Sequence, residues 1–295
     1  MEFRQLQYFL TLCKELHFSE AAYKIGISQP TLSQQIRVLE DEIGVPLFDR
    51  IGKKTVKTEA GAILERYALD IMQQLENAKN AITDLTELHA GQLRVAVLPS
   101  DLDYRLTALL VDFHKEFPNT KVQVNPSIEI VDMVLDNEAD IGVGLTSKPD
   151  SRLKRIPFYT ETYSLFVHNK HELAGRTMIS PKELMGLPFV MYPKGYVGRE
   201  LIEAWGEERG VTIETMMDTG SVTSLFRLVK EGVGATIQPS SLYESFQSLG
   251  ICEIQIENAP IRDLEICYRN DKYMSVAAQT FMKRLQQFFQ HTAAR

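Results

Sequence analysis

A short polar segment near the start of the chain carries side chains that could bind a nucleic acid. Between Ser28 and Arg37 it holds hydroxyl, amide and guanidinium groups. Glutamine side chains pair with adenine, arginine with guanine, and hydroxyls with either base. If the segment is a helix, residues three and four positions apart share one side of it. The candidate DNA contacts on this segment are Ser28, Gln29, Pro30, Thr31, Ser33, Gln34 and Arg37.

Positive charge follows this segment. The chain has a net charge of −7, but residues 1–57 hold 8 Lys+Arg and 7 Asp+Glu, a net charge of +1, which leaves −8 for the remainder. Two short β-like runs at 47–50 and 55–57 predict a wing around these cations. Lysine and arginine neutralise backbone phosphates without reading sequence. Three cations complete the candidate DNA contacts: Arg50, Lys53 and Lys54.

Capping residues and apolar spacing predict the helices that would position these groups. Ser19 can cap one helix, and Gly26 can end it because glycine readily adopts positive φ. Ser28 can cap the next helix, whose first turn tolerates Pro30. The apolar side of that second helix is predicted to hold Leu32, Ile36, Leu39 and Ile43.

Each of these features also has an ordinary structural explanation. A helix, a turn and a second helix can be a plain helical hairpin, and lysines at a loop tip are usually a solvated surface. Here the outward polar side, the capped second helix and the basic wing occur together. The combination favours a winged helix-turn-helix over residues 1–58 that binds double-stranded DNA.

The stretch LQYFLTLCKELHFSEAAYKIGISQPTLSQQIRVLEDEIGVPLFDR, continued by TEAG at 58–61, resembles the LysR-type transcriptional regulator family. SQPTLSQQIRVLE and LFDR are its most specific parts. The resemblance implies a winged helix-turn-helix, a linker helix and a two-lobed effector domain of the periplasmic-binding-protein type. It also implies homo-oligomers, commonly pairs of dimers, that bend their DNA. Gln34 and Gln35 depart from many relatives, which leaves the DNA sequence open.

An apolar spacing that alternates between four and three residues follows the wing. A period of 3.5 residues is typical of a coiled-coil seam, so residues 59–91 are predicted to form a dimerising helix and a hinge. Packing of this helix on its own domain is the alternative. A two-fold dimer would place two recognition helices in successive major grooves. The seam residues are Leu64, Ala68, Ile71, Leu75, Ala78, Ile82 and Leu85.

The remainder of the chain, residues 92–295, alternates strand-like and helix-like segments. Such alternation is typical of an α/β fold with a parallel sheet and helices on both faces. We predict lobe 1 at about 92–161 and 267–295, and lobe 2 at about 162–266. Ligands of such sheets bind outside the carboxyl ends of the strands, so the cleft between the lobes is the predicted effector site.

Three of these segments border the predicted cleft. A helix is predicted over 102–117, directly after the first strand. Lobe 2 is predicted to begin with a strand at 163–167, and a strand at 265–268 is predicted to cross back to lobe 1.

Seven residues in loops after strands are candidate effector contacts. Several precede helices, whose exposed N–H groups and dipole favour an anion, and this predicts a small carboxylate or another polar metabolite. The family resemblance implies the same cleft, and its commonest contacts match Ser100, Ser127 and Thr146. Each hydroxyl could equally be a helix cap. The full set is Ser100, Ser127, Thr146, Tyr192, Lys194, Ser221 and Gln238.

Catalytic and cofactor motifs are absent from the sequence. It contains no G-x-S-x-G, H-E-x-x-H or P-loop, so we expect neither an enzyme nor a cofactor. His168 and His171 have no evident third metal ligand. Cys13, Cys252 and Cys267 show no zinc or redox spacing, which favours reduced structural thiols.

A cytoplasmic location is expected, because no secretory signal or membrane-spanning run is evident. The alternative function is a solute-binding receptor built on the two-lobed domain. That reading would leave the helix-turn-helix without a role.

Overall fold

The chain divides into two compact units, Met1–Thr86 and Glu87–Arg295. No helix in the described part of the chain combines the length and the apolar run needed to cross a bilayer. The residues that the computed structural model describes are 1–51, 54–86, 91–146 and 148–293.

Three short helices begin the N-terminal unit. Ser28 caps the third helix as predicted, since its Oγ accepts a hydrogen bond from the backbone N–H of Thr31 at 3.2 Å. The prediction that Ser19 caps the second helix is wrong. That helix begins two residues earlier, because Nδ1 of His17 accepts a hydrogen bond from the N–H of Glu20. The bounds are Phe3–Glu15 for α1, Phe18–Ile25 for α2 and Gln29–Ile43 for α3.

An antiparallel wing and a long helix complete this unit. The predicted wing strands are confirmed, with Phe48 opposite Lys57 and Asp49 opposite Val56. Leu32, Ile36 and Leu39 of α3 are buried in one core with residues of α1 and α2. The tip of the wing, at 52 and 53, lies outside the described residues. The bounds are Phe48–Ile51 for β1, Lys54–Lys57 for β2 and Glu59–Thr86 for α4.

The described strands of the C-terminal unit form an eight-stranded sheet and a separate parallel pair. Their bounds are Gly91–Val97 for β3, Thr120–Pro126 for β4, Ile141–Leu145 for β5, Leu153–His168 for β6, Met178–Ile179 for β7, Phe189–Met191 for β8, Thr215–Asp218 for β9, Thr236–Pro239 for β10, Ile251–Ile256 for β11 and Ile261–Arg269 for β12.

The eight-stranded sheet is mixed. Its order is β4-β3-β5-β12-β6-β11-β7, with β10 also paired to β6. β3 is parallel to β4 and β5, whereas β12 is antiparallel to β5 and β6. The predicted parallel pairing is therefore right for β3, β4 and β5, for the edge pair β7 and β11, and for the separate pair β8 and β9, whereas β6, β10 and β12 pair antiparallel. The chain leaves lobe 1 on β6 and returns on β12, and these two strands run in opposite directions.

β6 is a single strand of 16 residues that belongs to both lobes. Residues 153–162 pair with β12, and residues 163–168 pair with β10 and β11. Sequence analysis predicts only the second half of this strand. The first half contains Pro157 and several charged residues, so its sequence does not resemble a strand. In the structure Pro157 pairs with Glu265 at the position where the register of the ladder shifts.

Helices pack on the sheet in each lobe. Phe113 and Phe281 pack with strand residues in the core of lobe 1, and Ile202 and Trp205 do so in lobe 2. The helix predicted over 102–117 is interrupted by a π-helical turn at Leu102–Leu106. The bounds are Pro99–Asp101 for α5, Thr107–Glu116 for α6, Ile130–Leu135 for α7, Val197–Glu208 for α8, Val222–Lys230 for α9, Tyr243–Phe246 for α10 and Val276–Ala293 for α11.

Candidate DNA-reading surface and effector cavity

The N-terminal half of α3 presents polar side chains to solvent while its opposite side is buried in the core. Gln29 Nε2 donates a hydrogen bond to Ser33 Oγ at 3.0 Å, and the hydroxyls of Ser28 and Thr31 are 2.7 Å apart. These side chains hold each other in place but can exchange their partners for base edges. Ser33 is half-buried, and the other predicted contacts of α3 are exposed: Ser28, Gln29, Pro30, Thr31, Gln34 and Arg37.

The acidic end of α3 positions the wing. Glu40 Oε1 accepts hydrogen bonds from the backbone N–H groups of Leu47 at 2.7 Å and Phe48 at 3.2 Å. Of the predicted wing contacts, Lys53 lies outside the described residues. The backbones of Arg50 and Lys54 lie in β1 and β2.

The linker helix α4 changes its environment along its length. Leu64 packs against the core of the N-terminal unit beside the fully buried Ala68, so Leu64 does not extend an exposed seam. Further along, the predicted dimer residues Ile71, Ile82 and Leu85 are 38%, 61% and 86% exposed. Leu75, between them, is half-buried. The first turns of α4 therefore serve the fold of the protomer, and the later turns leave apolar side chains uncovered.

A cavity of about 240 Å³ lies between the lobes of the C-terminal unit. Its walls come from the carboxyl ends of β3, β5 and β10 and from the segments that follow them, as the position of ligand sites in α/β sheets predicts. Four predicted effector contacts line it: Ser100, Tyr192, Ser221 and Gln238.

The other three predicted contacts, Ser127, Thr146 and Lys194, are not part of the cavity wall. Ser127 Oγ accepts a hydrogen bond from the N–H of Glu129 at 3.0 Å. Thr146 Oγ1 donates to the carbonyl oxygen of Asp263 at 3.4 Å. Lys194 is exposed in the loop before α8. The two hydroxyls therefore stabilise local structure here, and their role as effector contacts stays a prediction.

Two helix N-termini border the cavity on the side of lobe 2. Val197 and Gly198, in the first turn of α8, line it, and no side chain caps this helix. Ser221 and Val222, at the start of α9, also line it, and Ser221 Oγ caps the N–H of Ser224 at 3.4 Å. Exposed backbone N–H groups at helix N-termini attract anions, so this wall of the cavity favours a carboxylate.

Three tyrosines form much of the remaining wall. Tyr192 and Tyr196 are stacked, with ring centroids 5.2 Å apart and an interplanar angle of 7°. Burial raises the pKa of Tyr163 to about 12 and also raises the pKa of Tyr192. Both hydroxyls are therefore protonated at neutral pH and can donate hydrogen bonds. Sequence analysis missed Tyr163 because it lies inside a strand and follows no turn or cap signal.

A buried ion cluster adjoins the cavity through Arg262. It consists of Asp101 and Arg105 on the interrupted helix of lobe 1, Glu161 on β6 and Arg262 on β12. The Arg262 guanidinium donates to Asp101 Oδ1 and to Glu161 Oε1, both at 2.8 Å. Arg105 Nη1 donates to the same Oε1 at 2.8 Å. Two cations thus balance two anions.

Arg262 belongs to both the ion cluster and the cavity wall. Burial favours the neutral form of Glu161, but Arg262 and Arg105 outweigh it and hold the pKa of Glu161 below its usual value. Burial works against the charge of Arg262, whereas Asp101 and Glu161 raise its pKa. Sequence analysis missed Arg262, because only the three-dimensional fold brings it to residues more than a hundred positions away.

An exposed polar helix beside a wing, together with a two-lobed unit that encloses a metabolite-sized cavity, defines a DNA-binding regulator that responds to a ligand. The comparisons with known proteins agree. The LysR substrate binding domain matches residues 86–290, and the bacterial regulatory helix-turn-helix domain of the lysR family matches residues 3–62. The chain therefore belongs to the LysR family of transcription regulators. The predicted family, fold class and regulatory function are confirmed.

The chain is similar to regulators over nearly its whole length. It is 28% identical to an uncharacterized HTH-type transcriptional regulator, YybE, of Bacillus subtilis, covering 95% of this chain and 97% of that one. It is 26% identical to the hydrogen peroxide-inducible genes activator of Pectobacterium carotovorum, covering 91% and 90%. The structure of full-length CbnR complexed with its target DNA has a TM-score of 0.65 at 21% identity, covering 98% of this chain and 100% of that one.

We predict that Arg262→Met lowers the free energy of unfolding of the C-terminal unit by about 3–5 kcal/mol at pH 7, because it removes one of the two cations that neutralise the buried carboxylates of Asp101 and Glu161. The pKa of Glu161 is lowered in the folded protein. Its stabilising contribution is therefore present above the unfolded pKa of about 4.5 and is lost as pH falls through the folded value. The difference from the unchanged protein should accordingly shrink below pH 4.5.

Urea unfolding at pH 7 and pH 4, followed by circular dichroism, measures this difference. Arg176→Met is the matched control, because Arg176 pairs with Glu183 at 3.1 Å on the surface and should leave the unfolding midpoint unchanged. An equal loss of stability at both pH values would contradict the electrostatic account and assign the effect of Arg262→Met to packing alone.

Proposed function

We propose that this LysR-type regulator reads its operator with the N-terminal half of α3, and that a small carboxylate with an apolar body controls it from the cavity between the lobes. One observation supports this ligand class: two helix N-termini border the same cavity, which is otherwise largely apolar and aromatic. The proposed partners are double-stranded DNA, the effector and further copies of the same chain.

The proposed DNA contacts rest on the way α3 divides its two sides. Burial of Leu32, Ile36 and Leu39 leaves one orientation for the helix, in which the polar side faces outward. Arg37 is exposed and can reach a guanine or a phosphate. The wing cations, including Lys53 and Lys54, would add phosphate contacts that carry no sequence information.

Arg37→Ala is expected to weaken operator binding by about 1–3 kcal/mol if Arg37 reads a base. Footprinting on the DNA upstream of the protein's own gene, repeated on a scrambled duplex, measures this effect. Arg4→Ala, an exposed arginine on α1, is the control and should leave both affinities unchanged. An equal loss on both duplexes would make Arg37 a phosphate contact instead.

We also propose that the later turns of α4 dimerise the protein. Ile82→Asp would place a charge in an apolar interface and should shift the protein to a smaller species in analytical ultracentrifugation. Asn80→Asp adds a charge on the opposite side of the same helix and should leave the sedimentation unchanged. If the two variants sediment alike, the exposed apolar side of α4 is not the dimer contact.

Charge balance in the cavity wall favours a single carboxylate over a dianion. Among the described lining residues Arg262 is the cation, and two carboxylates already neutralise it, while Asp103 adds a negative charge to the wall. The remaining positive potential comes from the helix N-termini, each equivalent to about half an elementary charge. Leu98, Ile128, Leu145 and Val222 supply apolar surface for the body of the ligand.

Calorimetry on the full chain tests this ligand class. The ligands are a carboxylic acid, an amide and an amine, each attached in turn to a phenyl, a cyclohexyl and a butyl group. Acids are expected to bind more tightly than the amides of the same body, and amines least. Gly198→Ala should weaken the acids selectively, since its Cβ would lie 3.1 Å from Tyr163 Oη at the helix N-terminus. Gly175→Ala, in open space, is the control. Binding by amines alone would refute the carboxylate class.

Effector binding can regulate DNA binding only if it favours one arrangement of the lobes. We propose that this arrangement alters the association of protomers and so the bend of the DNA. Because the protein must reach the DNA, we infer a cytoplasmic location. We also infer that it has no catalytic activity, because the acids and bases of the ion cluster are committed to one another.

One relative is named a hydrogen peroxide-inducible genes activator, which raises the question of peroxide sensing by a thiol. Two of the three cysteines do not favour this function. Oxidation requires a thiolate that is accessible and has a low pKa. Cys13 and Cys267 are buried, and burial raises the pKa of both, that of Cys267 to about 11. Cys252 is partly buried on β11.

A further inference from the structure

The first helix of lobe 1 contains a π-helical turn whose consecutive residues point to different places. The turn spans Leu102–Leu106, between α5 and α6. Within it, Asp103 lines the cavity, Tyr104 contacts lobe 2, and Arg105 enters the buried ion cluster. π-helical turns are rare and often occur at functional sites, since the extra residue changes the direction of the side chains around it.

Tyr104 joins the two lobes at the edge of the cavity. Its hydroxyl lies 2.6 Å from Thr223 Oγ1, and its ring centroid is 4.8 Å from that of Phe246. The ring packs on the lobe 2 core that includes Phe226 and Val222. Tyr104 therefore belongs to lobe 1 by its place in the chain and to lobe 2 by its packing.

Thr223 connects this contact to the proposed carboxylate site. It is the second residue of α9, and the two residues before it, Ser221 and Val222, line the cavity. The Tyr104 hydroxyl thus contacts the first turn of the helix whose N-terminus borders the cavity. Without the extra residue, the side chains that precede it would be rotated by roughly 100° about the helix axis relative to the side chains that follow it. The π-helical turn therefore determines the direction in which Tyr104 points.

We propose that Tyr104 is a positioning residue that latches the first turn of α9 in place and so keeps the effector site formed before the effector arrives. The inference rests on the proposed function of the cavity, but it concerns the ligand-free protein. Losing the hydroxyl contact should let the lobes separate more often at this edge without unfolding either lobe.

Hydrogen–deuterium exchange on the ligand-free full chain tests the latch. Tyr104→Phe keeps the ring and removes the hydroxyl, and Thr223→Val keeps the shape and removes the other hydroxyl. Each should raise exchange about 2- to 10-fold, the range for one hydrogen bond, in peptides that cover 99–106 and 219–226 together. The double variant should add little to either single change, since both remove the same contact.

Two further variants separate positioning from packing. Thr223→Ser retains a hydroxyl, so its exchange should match that of the unchanged protein. Tyr243→Phe alters another tyrosine packed on the same lobe 2 core and should leave the cavity peptides unchanged. Faster exchange confined to the mutated side, no change at all, or a rise throughout the lobe 2 core with a lower melting temperature would each overturn the latch. None of these results depends on the chemistry of the effector, so the proposed ligand class would stand or fall separately.

Discussion

The C-terminal unit depends on the neutralisation of buried charge where its two lobes meet. A charged group inside a protein is costly unless a partner and hydrogen bonds compensate it. Asp101, Arg105, Glu161 and Arg262 meet this condition by pairing across the interrupted helix of lobe 1 and the strands β6 and β12. Because these strands also connect the lobes, any motion that separates the four groups would leave buried charges unpaired and carries a large cost.

Arg262 links this ion cluster to the cavity, because Arg262 forms part of the cavity wall and also pairs with two buried acids. In the proposed site, a ligand meets a cation that is already neutralised, so we assign the selectivity for charge to the backbone N–H groups at the start of α8 and α9. In this proposal, side chains determine the shape of the site, and the backbone dipoles determine which sign of ligand charge it prefers. Under this proposal, substitutions of the side chains in the wall would change which ligand body fits without changing the preference for an anion.

The N-terminal unit was largely predictable because its signals are local. Ser28 and Gly26 mark the ends of helices within a few residues, and the spacing of Leu32, Ile36 and Leu39 identifies the buried side. The cap of α2 was predicted wrongly because a histidine ring nitrogen accepted the hydrogen bond in place of a serine hydroxyl. Position within the strand pattern was enough to place Ser100, Ser221 and Gln238 near the cavity.

The sequence left out features that depend on distant contacts. The first half of β6 was missed because it is stabilised by pairing with β12, about a hundred residues later, in spite of Pro157. Tyr163 and Arg262 carry no local signal of a ligand site, and the π-helical turn has none of the caps or breakers that mark a helix end. Tyr163, Arg262 and Asp103 of the π-helical turn line the cavity from segments far apart in the chain, so this part of the site depends on tertiary structure.

Glu40 has a consequence for DNA recognition that side-chain contacts alone do not describe. By accepting the N–H groups of Leu47 and Phe48, it ties the end of the reading helix to the base of the wing. The distance between the two proposed contact regions is then set by the protein, and the cost of any mismatch falls on the double helix. Base steps that deform easily reduce that cost, so an operator can be selected by its stiffness at positions that no side chain touches.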